Sequence, residues 1–300
     1  MSGDGTTSTA REWWIGIVRA VAGVAIVAVA VCRADAELPR EIRVITYNIH
    51  HGEGMDKKFG LERIAKLLMV ERPDIVSLEE VDQGTRRASG VDQPAEFARL
   101  MGMKVVFGRN IPYDGGGYGT AVLTRLPIRS CESVKLKPFY RDTPEHKEQR
   151  GVQVLELGKK GEPGLWFLCT HLDFRPPDDE RMNSAKTINE LIQKRGKAPA
   201  IIAGDFNAVP ESRPVKEFEK EWTVAGGDGA DAKPPFDKLR TEGQAATPIL
   251  TFPADKPDRR IDYVMYRPAN KWRVVEVRVL DEPVASDHRP VLAVLRRMGN

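Results

Sequence analysis

Short apolar runs of strand length recur along almost the whole chain with few helical patterns between them, and this limits its folds more than any other feature. The first run, Ile42-Arg-Val-Ile-Thr-Tyr-Asn48, places Val44, Thr46 and Asn48 on one face and Arg43, Ile45 and Tyr47 on the other. Ile75 to Leu78, Thr120 to Thr124, Gly151 to Leu157, Leu165 to Thr170, Ala200 to Ala203, Ile261 to Tyr266 and Val291 to Leu295 read as further strands. Helical spacing links Leu61, Ile64, Ala65, Leu67 and Leu68 until Pro73 stops it, which makes a β-α-β unit with the strands on either side. Two more helices are expected, from Asp179 to Lys194 and around Pro94 to Leu100. No Pro- or Ser-rich linker divides the chain, and the Gly-, Asp- and Pro-rich stretch from Ala225 to Pro257 reads as a loop excursion. The expectation is one mixed α/β domain from about Leu38 to the end, strand-rich layers covered by a few helices.

Composition narrows the class. At 41% hydrophobic the chain is too apolar for disorder, and three cysteines in 300 residues are too few for a disulfide scaffold. The run from Trp13 to Cys32 is the single segment near membrane-spanning length, and Arg19 interrupts it. Basic Arg11 and Arg19, the short apolar stretch Ala20 to Cys32 and the small-residue site Ala34-Asp-Ala36 together describe a secretory signal peptide, residues 1–36, cleaved after Ala36. An uncleaved anchor beginning at Trp13 is the alternative. The expected catalytic domain is residues 37–300, outside the cytoplasm. Its cysteines, Cys131 and Cys169, are expected as free thiols, because Cys169 lies in an apolar run where a buried thiol is ordinary.

Charge excludes a different set of roles. With 46 Lys and Arg against 43 Asp and Glu the net charge is +3, and removal of residues 1–36 leaves it unchanged. No global basic field advertises a nucleic acid or an anionic membrane, so any recognition of anions must be local.

Several strands end in the same kind of residue. Asn48 closes the first strand, Glu80 follows the Ile75 run, His171 follows Cys169, and Asp205 and Asn207 follow Gly204. Asp262 sits in Arg260-Ile-Asp-Tyr263, and Asp287-His288 precedes the last strand. Singly these are turn residues, caps and a half-buried histidine. Together they suggest one sheet rim, where sites are built.

In this order, Thr46-Tyr-Asn-Ile-His-His-Gly52, Leu78-Glu-Glu-Val-Asp82, Thr170-His-Leu-Asp173, Gly204-Asp-Phe-Asn207, Arg260-Ile-Asp-Tyr263 and Ser286-Asp-His288 resemble the motif set of the endonuclease/exonuclease/phosphatase superfamily. The resemblance runs from Ile42 to Leu295. It implies an α/β fold, a four-layer α/β sandwich of two mixed, largely antiparallel sheets flanked by helices. It also implies a metal-dependent phosphoester hydrolase, since the superfamily includes pancreatic-type deoxyribonucleases, abasic-site endonucleases, neutral sphingomyelinases, inositol-polyphosphate phosphatases and mRNA deadenylases. One departure is visible: the usual Gln before the metal-binding glutamate is Glu79 here.

By that resemblance Asn48, Glu80 and Asp287 hold a divalent cation, and an all-oxygen set suits Mg²⁺ or Mn²⁺. Asp205 orients or deprotonates the attacking water, Asn207 and His171 contact the phosphate, and His288, oriented by Asp262, acts in acid/base catalysis. Strand alternation puts His50 on the Asn48 face if the strand persists, whereas His51 begins the Gly52 loop; exposure near a cleft and substrate contact are both open for the pair. Four histidines near carboxylates also raise a zinc site, although zinc favours compact His/Cys spacing. Arg150 and Arg181 are candidates to meet a phosphate, with a surface salt bridge the commoner fate of either.

The expected substrate is a phosphoester: a small molecule, a lipid head group or a nucleic acid. A nuclease calls for a basic stripe, and the mature chain offers only short pairs such as Lys57-Lys58 and Arg296-Arg297. A lipid enzyme calls for an exposed apolar loop, for which Ile111-Pro-Tyr113 and Pro138-Phe-Tyr140 are modest candidates. A non-catalytic phosphate-binding module is disfavoured by Glu80, Asp205, Asp262 and His288, because carboxylates repel a phosphate unless a cation or a proton transfer employs them. No protein partner is indicated, and a monomer is expected.

Overall fold

In a computed structural model, residues 37–137, 148–227 and 249–299 are described; the expected leader, the Pro138-Phe-Tyr140 loop and residues 228–248 of the loop excursion lie outside them. In chain order the elements are β1 (Glu41–Asn48), α1 (Leu61–Val70), β2 (Ile75–Gln83), α2 (Gln93–Met101), β3 (Lys104–Tyr113), β4 (Gly116–Thr124), β5 (Ile128–Lys135), β6 (Gly151–Leu157), β7 (Leu165–His171), α3 (Asp179–Gln193), β8 (Ala200–Asp205), α4 (Arg213–Phe218), β9 (Thr223–Val224), β10 (Asp262–Arg267), β11 (Trp272–Val279) and β12 (Val291–Arg297). Two six-stranded sheets result, with orders β11-β12-β1-β2-β4-β3 and β5-β6-β7-β8-β10-β9.

Each sheet is antiparallel except for one central parallel pair, β1 with β2 and β7 with β8. A parallel pair needs a crossover, and in each case a helix provides it, α1 in the first sheet and α3 in the second. Apolar residues of both sheets, among them Val44, Ile75, Val122, Phe167, Ile201 and Val264, meet in a core between them. The opposite face of the first sheet buries Ile45, Tyr47 and Val76 against Ile64 and Leu68 of α1 and Phe97 of α2. That of the second buries Leu168, Ile202 and Tyr263 against Ile188 of α3 and Phe218 of α4. Both faces of the inner strands are therefore apolar, and the four-layer α/β sandwich is realised.

The strand runs read from sequence are the eight interior strands; β3, β5, β9 and β11, all at sheet edges, were not among them. Cys131 is exposed and Cys169 buried, and both are free thiols. Among the described residues no helix is long and apolar enough to cross a membrane.

Candidate active site at the facing rims of the two sheets

Register builds the second-sheet half of the site. β7 and β8 run parallel with His171 opposite Asp205, and β8 and β10 run antiparallel with Asp205 opposite Asp262, so the three residues form one row across three strands. Gly204 permits this row, because a Cβ there would lie 1.9 Å from the Thr170 carbonyl oxygen. The sequence Gly-Asp-Phe-Asn then turns sharply. The Asn207 amide N–H bonds Asp205 Oδ1 at 2.8 Å, and Asn207 itself takes φ +48°. Its side-chain Nδ2 faces the Leu172 carbonyl at 3.1 Å, His171 Nε2 at 3.1 Å and Asp205 Oδ2 at 3.4 Å. With two oxygens facing that nitrogen, His171 Nε2 is the acceptor here, and giving a proton to a phosphate oxygen from Nε2 calls for the other tautomer.

His288 closes the row. Its Nδ1 lies 3.0 and 3.1 Å from the two oxygens of Asp262, and its Nε2 lies 3.7 Å from Asp205 Oδ2. All three side chains are buried. Burial alone would pull the His288 imidazole down, but the Asp262 and Asp205 carboxylates beside it override that and raise its pKa. Burial pushes Asp205 up, opposed by the His288 charge and assisted by Asp262. His171 goes the other way, held neutral by burial and by the positive charges of Arg150 and His288.

The first sheet supplies the opposite rim. Asn48 ends β1, and its Nδ2 donates to Glu80 Oε1 at 3.2 Å and across the sheets to Asp205 Oδ2 at 3.0 Å. Glu80 does not follow a strand end, as the sequence suggests, but sits inside β2 at a bulge between Leu78 and Val81, with φ +58°. The extra residue turns its side chain toward the rim while the neighbouring Glu79 points into the protein. Glu79 is fully buried, accepts hydrogen bonds from Ser77 Oγ at 2.6 Å and Thr46 Oγ1 at 3.1 Å, and burial lifts its pKa to about 8. Ser286 Oγ donates to the Asn48 carbonyl at 2.7 Å and tethers Asp287 to the same end of the sheet.

These groups test whether a divalent cation fits. The Glu80 and Asp205 carboxylates meet at Asn48 Nδ2 with Asp287 tethered alongside, and this excess negative charge suits a hard cation; Asn48 would join as an oxygen ligand only with its amide turned over, since its Oδ1 here accepts the His50 N–H. A second group, Asp205, Asp262 and His288, has ligand atoms within 4.8 Å of one another. In it both Asp262 oxygens already accept from His288 Nδ1, which favours a proton-transfer role over ligation.

Besides the placement of Glu80, three expectations need correction. β1 stops at Asn48, and His50 and His51 lie in a 3₁₀ turn at φ +44° and +46°, so strand alternation does not carry His50 onto the Asn48 face. The reason is local: Asn48 Oδ1 accepts the His50 backbone N–H at 3.0 Å and turns the chain. Arg181 is not at the surface; its Nη1 donates to the carbonyls of Asp173 and Arg175, bracing the loop after β7. Arg150 is likewise buried, at 2% exposure, with Nη1 3.0 Å from Glu148 Oε1 and no acceptor for its Nε–H among the described residues. It is close enough to His171 to lower that pKa, so it belongs with the site. The sequence does not single out Glu148, which pairs with Arg150, or Tyr118, a buried phenol that feels the Glu80 charge. For Tyr118 the available signal is the run Gly115-Gly-Gly-Tyr-Gly119, where glycines mark close backbone approach around an aromatic.

The chain resembles known proteins over the same span. The sequence profile of the Endonuclease/Exonuclease/phosphatase family matches residues 45–288. YbhP of Escherichia coli (strain K12), an uncharacterized protein, is 26% identical over 268 residues, 84% of this chain and 94% of that one. Among solved structures, an endonuclease/exonuclease/phosphatase from Beutenbergia cavernae superposes with TM-score 0.65 at 22% identity over 87% of this chain and 72% of its own. A mannosyl-6-phosphatase from Bacteroides thetaiotaomicron superposes with TM-score 0.64 at 21% identity over 85% and 99%. With the profile covering most of its length and every motif gathered at one rim, the chain belongs to the endonuclease/exonuclease/phosphatase family.

Proposed function

We propose that the protein is a Mg²⁺- or Mn²⁺-dependent hydrolase of compact phosphoesters that works outside the cytoplasm as a monomer. The observation that carries this reading is the row His171, Asp205, Asp262 with His288 above it, facing Asn48 and Glu80 across the gap between sheets. Asn48, Glu80 and Asp287 would hold the cation. When bound, it would polarise a phosphoryl oxygen and offset charge developing in the transition state. Asp205, whose pKa burial raises, is placed to orient and deprotonate water. His288, kept protonated by two carboxylates, is placed to give a proton to the leaving oxygen. Asn207 Nδ2, His171 and the Arg150 guanidinium would receive the non-bridging oxygens.

Charge favours a compact substrate over a duplex. Among the described residues, basic side chains near this end are paired locally, Arg175 with Asp173 and Arg213 with Asp178 and Asp179, and this lowers their value for contacting a run of phosphates. Hydrolysis of bis-p-nitrophenyl phosphate is expected to vanish in EDTA and return with Mg²⁺ or Mn²⁺. Full activity in chelator, or rescue by zinc alone, overturns the metal reading, and inertness toward every phosphoester overturns catalysis in favour of a binding module. Faster cleavage of duplex DNA at physiological salt than of any small or lipid phosphoester would make a secreted nuclease the better reading. Localisation is tested by intact mass: extracytoplasmic protein is expected to begin at Glu37, and a chain retaining Trp13 means a membrane anchor instead.

A further inference from the structure

Next to the catalytic groups lies a cavity of about 490 Å³ lined by Arg87, Ile111, Pro112, Tyr113, Tyr118 and Glu148. The bulged strand that carries Glu80 leads directly to it. Two residues on, Asp82 pairs with Tyr118 across β2 and β4, and Tyr118 in turn pairs with Ile111 across β4 and β3. Asp82, fully buried, fastens Arg87 by both Nε at 2.6 Å and Nη2 at 2.9 Å. The guanidinium so held lies 4.5 Å from the Tyr113 ring centroid and 5.4 Å from that of Tyr118. On the other side Glu148 stands 3.0 Å from Arg150, and the Tyr118 phenol is held raised by burial and by the Glu80 charge, against the opposing pull of Arg150. Through Arg150, which also lowers the His171 pKa, and through Glu80, the cavity lining is tied to the groups of the site.

We propose that this cavity receives the alcohol part of the phosphoester, and that this part is a polyhydroxylated ring, a sugar or cyclitol. The inference rests on the phosphoesterase reading and adds the substrate class. Size sets the first limit: about 490 Å³ falls in the ~300–1,000 Å³ range of small-molecule sites. An acyl chain is excluded by charge, because it would strip water from Arg87 and Glu148 and offer them no hydrogen bond. A flat base is disfavoured by shape. Tyr113 and Tyr118 meet at 51° with centroids 5.9 Å apart, a wedge and not a parallel-sided slot. A puckered ring suits the wedge. Its C–H face can lie on Tyr113, which is 41% exposed, while its hydroxyls donate to the Glu148 carboxylate and accept from Arg87 Nη1.

The test compares kcat/KM for myo-inositol 1-phosphate and glucose 6-phosphate with that for ethyl phosphate and adenosine 5′-monophosphate, each with Mg²⁺, alongside binding of free inositol, glucose and adenosine by saturation-transfer NMR. The ring phosphates are expected to lead. Tyr113→Ala should cut their advantage over ethyl phosphate about tenfold, the loss of one aromatic contact, and Tyr113→Phe should keep it. Equal rates for ring and ethyl phosphates, an unchanged ratio in Tyr113→Ala, or preference for the nucleotide each overturn the proposal while leaving the phosphoesterase intact. If no phosphoester is cleaved, the catalytic reading fails, and binding alone decides the cavity. Inositol or glucose signals lost in Tyr113→Ala uphold it, and their absence, or stronger adenosine binding, overturns it.

Discussion

The two sheets meet at one site but contribute to it by different means. On the second sheet, plain strand register sets His171, Asp205 and Asp262 side by side, and every member is buried and hydrogen-bonded. On the first sheet, register is interrupted: Glu80 sits on a bulge at φ +58°, and the chain leaves β1 through two histidines at φ +44° and +46°. Regular pairing gives a stiff array suited to moving a proton between fixed atoms. A bulge and left-handed residues re-aim single side chains, at a backbone cost that the surrounding core must offset. The half proposed for acid/base chemistry should therefore tolerate no substitution, and the half proposed to hold a cation should tolerate some.

The largest expected effect tests that asymmetry. His288→Ala should lower kcat by about 10²–10⁴-fold, the usual cost of a lost acid/base group, and extra Mg²⁺ should not restore it. Glu80→Gln keeps the shape of an oxygen ligand and removes one charge, so its defect should shrink as Mg²⁺ is raised. Titrating both variants with the cation measures the difference, and equal rescue would erase the distinction between the two rims.

The same contrast explains what the sequence disclosed. Interior strands are apolar on both faces and show as continuous runs, which is why all eight were legible. Edge strands carry charge where they meet water, as in Arg129-Ser-Cys-Glu-Ser133 of β5 or Glu276 and Arg278 of β11, and so lose the pattern. The row on the second sheet was legible because each member ends or begins such a run. Glu80 was recognised by its motif but misplaced, since a bulge leaves no mark on hydrophobic periodicity. Arg150 and Arg181 read as surface cations because nothing local shows that the residue before β6 and the first turn of α3 bury their guanidinium groups. The Tyr113, Tyr118 and Arg87 cavity depends on pairing between strands, β3 among them, that the runs did not reveal.

A middle-sized effect is expected at Glu79, the buried neighbour of the bulged glutamate. Burial raises its carboxyl from 4.5 to about 8, so between those values the folded chain keeps a proton that the unfolded chain has released. Stability from this group is whole below about pH 4.5, falls as pH rises through that window, and is lost above 8. Glu79→Gln retains an oxygen for Ser77 and Thr46 to donate to and removes the ionisation. Urea unfolding in EDTA should therefore show a flatter pH dependence and a gain on the order of 1–3 kcal/mol at pH 8. A variant less stable than the parent at pH 8 would mean that the ionised carboxylate has a partner in the fold.

The smallest effect concerns the strained turn itself. His50 takes φ +44°, a conformation that Asn adopts more readily than His, and its Nδ1 makes one contact, with the Glu53 carbonyl at 3.0 Å. His50→Asn gives up that contact and relieves part of the strain, so the two changes should nearly cancel, within about 0.5 kcal/mol. The backbone N–H that bonds Asn48 Oδ1 survives the exchange, and Asn48 should keep its orientation toward Glu80 and Asp205. Activity is then expected to stay within about twofold of the parent. A hundredfold loss at unchanged stability would move His50 from the turn into the chemistry, and the first-sheet rim would then hold a reacting group as well as the proposed cation ligands.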